Sequence, residues 1–192
     1  TLFRSLLFGG IISAQHQETP KGIFIPSKQA QEDDYNNPES RFNYKYKAES
    51  ENIVVFWDKS FGLNPMNYPD KEKRFNPDEF LKEGERFFTY YRDKLKFVDK
   101  KRSNLKKHKM ILYMHNDDET TAYGWGADNV GIMWFRPCRI QEYPYCPLAH
   151  EMAHSFQYMI EADGHIGFPG QAILEYGAQW MLWQVYPDWT TI

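Results

Sequence analysis

LAHEMAHSFQYMIEA, residues 148–162, is the stretch on which the reading of this chain turns. Leu148, Met152, Phe156 and Met159 recur at three- and four-residue intervals, the stripe of an amphipathic helix expected over 147–162. Asp163-Gly164 supplies its stop. Inside that helix stands His150-Glu151-Met152-Ala153-His154, an HExxH motif. Positions four apart share a helix face about one turn apart, so both imidazoles can reach one metal ion. Glu151 lies one residue round from that face, close enough to reach a water at the ion without ligating it.

A catalytic zinc takes three protein ligands and keeps a further position for water, so a third ligand is needed. His165, Glu161 and Glu175 are candidates. Glu161 sits about two turns further along the same helix, a long way up the axis. The metzincin spacing requires Gly and His where this chain has Gln157 and Ile160, and it fails. Glu175 lies inside a last helix expected over Gln171–Tyr186, ahead of Pro187. Trp180, Met181 and Trp183 make that helix apolar almost all round, so they are expected in the core.

Upstream, Ile53-Val54-Val55-Phe56-Trp57 is a continuous apolar, β-branched run and reads as a buried strand. Asn76-Pro77 opens a helix over 77–95, with Phe80, Leu81, Gly84, Phe87, Phe88, Tyr91 and Leu95 at helical spacing. Lys109–Met114 is a second strand and Val130–Phe135 a third; Tyr123-Gly124-Trp125-Gly126 reads as a turn or bulge. The order strand, helix, strand, strand, helix, helix predicts a small α+β domain. A mixed sheet of three or more strands is backed by helix 77–95, with the HExxH helix and the glutamate helix on one side. Residues 15–50, punctuated by Pro20, Pro26 and Asn36-Asn37-Pro38, read as a polar linker or extended arm.

HExxH followed by Glu175-Tyr176-Gly177-Ala178 resembles the gluzincin metallopeptidases, whose second helix carries Glu-x-x-Ala. The likeness covers about residues 52–186 in architecture and 150–178 by motif, and the chain is also similar to bacterial exported zincin-like proteins. The resemblance implies a zincin-like catalytic domain over 51–192, open to a C-terminal truncation. It implies Zn2+ held by His150, His154 and Glu175, with Glu151 as general base and later acid in hydrolysing the bonds of a peptide or protein substrate. Such a substrate is expected to lie extended along an edge strand, for which 130–135 is the candidate; an ordinary buried strand reads the same way. Gluzincins place an oxyanion-stabilising group beyond the glutamate helix. Little chain follows it here, so Tyr158 and His165 stand as local substitutes. Asp163, Gln157 and Gln179 are candidates to hold the ligating imidazoles by their other nitrogen.

The chain has 192 residues, 42% of them hydrophobic, which rules out wholesale disorder. Its formal charge of −3, from 23 basic and 26 acidic residues, argues against a dedicated nucleic-acid partner. No apolar run is long enough to span a bilayer. Residues 1–14, TLFRSLLFGGIISA, resemble the remnant of a secretory signal, so an exported location (secreted, periplasmic or at the cell surface) is expected. In that setting Cys138 and Cys146 form either a disulfide or two independent thiols. Asp117-Asp118-Glu119 reads as a solvated turn, and the lysines of 94–107 as a solvated face. A competing expectation is an exported zincin-like binding module without turnover, associated with glycans or a surface; the 17% aromatic content speaks for it.

Overall fold

Every residue of Ile53–Trp57 and of Met110–Met114 is buried, as a strand covered on both faces requires. The computed structural model describes residues 20–140 and 143–189, so the secretory-signal reading of 1–14 falls outside the described residues. Among the described residues five strands form one mixed sheet: β1 (Lys47–Glu49), β2 (Ile53–Trp57), β3 (Met110–Met114), β4 (Tyr123–Ala127) and β5 (Val130–Phe135). The spatial order is β1-β2-β3-β5-β4. β2, β3 and β5 run parallel, while β1 and β4 lie antiparallel at the two edges. Four α-helices accompany it among these residues: α1 (Ser27–Glu32), α2 (Pro77–Thr89), α3 (Cys146–Ala162) and α4 (Gln171–Val185). The fold is therefore α+β, and none of these helices is long and apolar enough to cross a membrane.

One face of the sheet, through Ile53, Val55, Leu112, Met133 and Phe135, packs on α2 and α3. The two helices lock through rings: Phe156 lies 5.3 Å from Phe88 and 5.6 Å, edge on, from Tyr91. The buried Tyr91 hydroxyl donates to the Ala149 carbonyl at 3.1 Å. Helix α2 starts where the sequence places it, with the Asn76 side chain accepting from the Asp78 amide. It then widens into a π turn over Tyr90–Lys94, so the predicted single helix to 95 is really two pieces.

The opposite face carries Val54, Phe56, Ile111, Tyr113, Val130 and Ile132, and the N-terminal segment covers it. Within the segment expected as a linker or arm, residues 20–46 thus form a packed cover and Lys47–Glu49 is the edge strand β1. Gly22 bridges His108, Ile23 and Ile25 lie on the sheet, and Tyr35 and Phe42 are buried. The Tyr35 and Tyr113 hydroxyls meet at 2.6 Å. These anchors are separated by polar residues with no regular period, so the sequence shows no element where there is an apolar seal.

The structure decides two readings left open, of 130–135 and of the cysteines, and corrects two others, of 123–126 and of the tryptophans of α4. Val130–Phe135 is not an edge strand, since it pairs with β3 on one side and β4 on the other. The edge is β4, read as a turn because of Gly124 and Gly126. β4 and β5 are joined by a tight hairpin whose central residues, Asp128 and Asn129, have φ of 50° and 65°, the pattern of a type I′ turn. Cys138 and Cys146 are both free, the first exposed and the second buried. Trp180 and Trp183 are 47% and 42% exposed, because α4 packs on one side only and buries Ala178, Met181, Leu182 and Val185 instead.

Phe42→Ala tests whether the arm is structural. Truncating a buried Phe typically costs about 3–5 kcal/mol. Urea unfolding of the variant is expected to show a loss of that order; a loss under about 0.5 kcal/mol, typical of surface sites, would return the arm to linker status.

Candidate metal centre

Helix α3 brings its HExxH segment between the edge strand and α4. Two glycines let β4 lie directly on the helix: a Cβ at Gly124 would stand 1.8 Å from the Glu151 carbonyl oxygen, and one at Gly126 2.1 Å from the Tyr158 ring. The Gly124 amide also hydrogen-bonds the Glu151 side chain. On the other flank, a Cβ at Gly177 would come within 2.8 Å of the Gln157 amide nitrogen, so that glycine sets the spacing of α3 and α4.

The side chains of His150, His154 and Glu175 converge, and among the described residues they are the only His/Cys/Asp/Glu group whose ligand atoms cluster, all within 4.8 Å of one another. His150 Nε2 lies 3.1 Å from Glu175 Oε2, His154 Nε2 lies 3.2 Å from His150 Nε2, and His154 Nε2 lies 3.5 Å from Glu175 Oε2. Of the other ligand candidates, His165 is exposed past the end of α3, and the Glu161 carboxylate lies against Gly167.

Each imidazole is held by a glutamine. His154 Nδ1 is 2.8 Å from Gln157 Oε1, and Gln157 Nε2 donates to the Leu174 carbonyl at 2.9 Å. A carbonyl can only accept, so the amide orientation is set: Gln157 Oε1 accepts from a proton on His154 Nδ1, which leaves Nε2 as the nitrogen turned to the cluster. His150 hydrogen-bonds the Gln179 side chain. Asp163 serves elsewhere, accepting from the Asn104 backbone amide and side-chain amide at 2.8 and 3.0 Å.

Burial, then the neighbouring His154, holds His150 below its ordinary range, against the pull of Glu175 and Gln179. Glu151 is pushed up to about 7 by burial first and by the Glu175 carboxylate second; the Gly124 amide and Arg139 oppose the shift. Glu151 and His150 open onto a cleft of about 330 Å³ lined also by Ala122, Pro147, Leu182 and Trp189, with Arg139 as its cationic side chain. The rim before β4 is a largely exposed turn, as expected for Asp117-Asp118-Glu119, and it is also tied by arginines. Buried Arg136 takes Asp117 at 2.8 Å and reaches Glu119, and the Arg139 guanidinium donates to the Thr120 carbonyl. Tyr158 and His165 do not line this cleft: the Tyr158 hydroxyl accepts from the Asn129 amide at 3.2 Å. Arg139 was not foreseen, since it sits in an irregular loop where no periodicity marks it.

Fold and cluster together define an α+β protein with a two-histidine, one-carboxylate centre beside a sheet edge. The chain belongs to DUF6055, a family of unknown function, whose model matches residues 15–192. No curated protein and no solved structure matches it.

Gly124→Ala probes the contact between β4 and α3. Overpacking of this kind costs about 1–3 kcal/mol. Denaturant unfolding is expected to show that loss, with faster hydrogen exchange at β4 amides than at β3 amides; unchanged exchange in β4 would contradict the contact.

Proposed function

We propose that this chain is an exported zinc-dependent metallopeptidase of the gluzincin type, with a zincin-like arrangement of edge strand, HExxH helix and glutamate helix. The observation that carries the reading is the triangle of ligand atoms. A tetrahedral ion with arms of about 2.0–2.1 Å separates its ligands by about 3.3–3.4 Å. The three separations here, 3.1, 3.2 and 3.5 Å, bracket that value. Hydrogen bonding among the same atoms is a poorer account. With a neutral His154 ring protonated at Nδ1, its Nε2 and Glu175 Oε2 are both acceptors, and His150 Nε2 has at most one proton to offer them. A cation satisfies all three at once. Export rests on the apolar N-terminal segment.

When bound, zinc lowers the pKa of a water to about 7 and polarises a carbonyl. His150, His154 and Glu175 hold the ion, and Gln157 and Gln179 orient the two rings. Glu151, held beside these ligands without being one of them, is placed to take the proton of the attacking water and pass it to the leaving amine. Among the described residues the outer edge of β4 has no strand beside it, and it offers an extended peptide a backbone to pair with. Arg139, in the cleft beside Glu151, is the group to take up negative charge on the carbonyl oxygen.

Metal analysis of the purified chain is expected to give about one zinc per molecule, most of it absent from Glu175→Ala. Full retention by that variant would remove Glu175 from the centre. Gln157→Leu is expected to weaken zinc binding about 10–100-fold. Glu151→Gln is expected to keep the metal and lose cleavage of a casein-type substrate, and Arg139→Ala to lower kcat about a hundredfold. A second reading, a binding module without turnover, is favoured by the exposed rings of Tyr176, Trp180 and Trp183 on α4. It predicts glycan binding that survives His150→Ala and no cleavage by any form of the chain.

A further inference from the structure

Four of the six lysines of 94–107 do not spread over a convex face. Lys100, Lys101, Lys106 and Lys107, with residues from the N-terminal segment and the π turn, line a cleft of about 1310 Å³ that shares no residue with the metal-centre cleft. Lys21, Arg92, Lys100, Lys101, Lys106 and Lys107 face it, against Glu51 as the acidic side chain of the lining, in a chain whose overall charge is −3.

Local neutralisation is thin. Asp93 serves two cations, Arg92 at 2.8 Å and Lys100 at 3.4 Å. Lys106 donates to the Lys101 carbonyl, a neutral acceptor. Lys101 and Lys107 form no ion pair among the described residues. Lys21 Nζ and Arg92 Cζ lie 4.6 and 5.3 Å from the centre of one Phe88 ring, so two cations from distant parts of the chain are seated against the same aromatic ring. His108 is held below its ordinary range by burial and by Lys107, a local sign of the same field. A concave wall in which one sign predominates concentrates potential inside it. At the base, buried Val98 and Leu105 add an apolar floor.

We propose that this cleft binds a compact anion carrying two or more phosphate groups, either free or as the headgroup of a lipid. Lys101, Lys106 and Lys107, which form no ion pair among the described residues, together carry more charge than one phosphate would offset. A re-entrant shape with an apolar floor suits a ligand that enters, rather than a duplex or a membrane plane that rests on a rim. Phosphate oxygens would take charge-assisted hydrogen bonds from several ammonium groups, with counterions released on binding.

Calorimetry with inorganic tripolyphosphate is the direct test, beside sedimentation with phosphatidylcholine vesicles that contain a phosphoinositide bisphosphate. Wild type is expected to bind tripolyphosphate more weakly as salt rises. Lys101→Glu/Lys107→Glu, two partly or fully exposed positions, is expected to bind about tenfold more weakly or worse, with unchanged unfolding and unchanged zinc content. Binding to tripolyphosphate with none to vesicles assigns a free ligand; vesicle binding displaced by tripolyphosphate assigns a headgroup. No binding to either probe, equal binding by the double variant, or a preference for duplex DNA over tripolyphosphate overturns the proposal.

Discussion

The buried amide of Gln157 is the constraint on which the centre depends. It faces two elements at once, accepting from the His154 ring and donating to the Leu174 carbonyl one residue before Glu175. A primary amide buried without both partners would cost on the order of 1–3 kcal/mol, so the two helices settle where both are made. That one side chain therefore sets the tautomer of a histidine on α3 and the depth of a carboxylate on α4. Gly177 leaves room for it; any larger residue would hold the helices apart.

Much of this was legible from the chain because the relevant signals are periodic. The apolar stripe of α3 and the two fully apolar strands survive from sequence to structure with boundaries shifted by a residue or so. The HExxH spacing and Glu175 bring three ligand atoms together as read, although their role with a metal rests on the proposal. What was not legible is aperiodic. β4 carries glycines where contact with α3 allows nothing larger, and such a strand looks like a turn. The N-terminal cover holds its face with a few scattered anchors. α4 has apolar residues on nearly every side, and hydropathy alone does not say which side finds a neighbour.

The same contrast applies to the surroundings of the centre. Sequence narrowed the imidazole supports to Gln157, Gln179 and Asp163, and only the hydrogen-bond partners in the fold separate the glutamines, on the imidazoles, from the aspartate, on Asn104. Arg139 and the Arg136–Asp117 pairing belong to loops that meet in space from distant positions. Charged residues there serve as ties between loops, and in 98–107 as the wall of a cleft. Tallies of charge along the chain cannot distinguish such uses from a solvated face.

The β4–β5 hairpin has one more attachment. The Asp128 carboxylate, at its tip, accepts from both the amide and the hydroxyl of Ser27 at 2.7 Å, where α1 begins. The N-terminal cover is therefore moored to the tip of the hairpin whose other arm rests on Glu151. Clipping the chain between Ser27 and Tyr35 would slacken that mooring and blur the alignment of β4 with α3, although no residue from Ser27 to Tyr35 lines the metal-centre cleft.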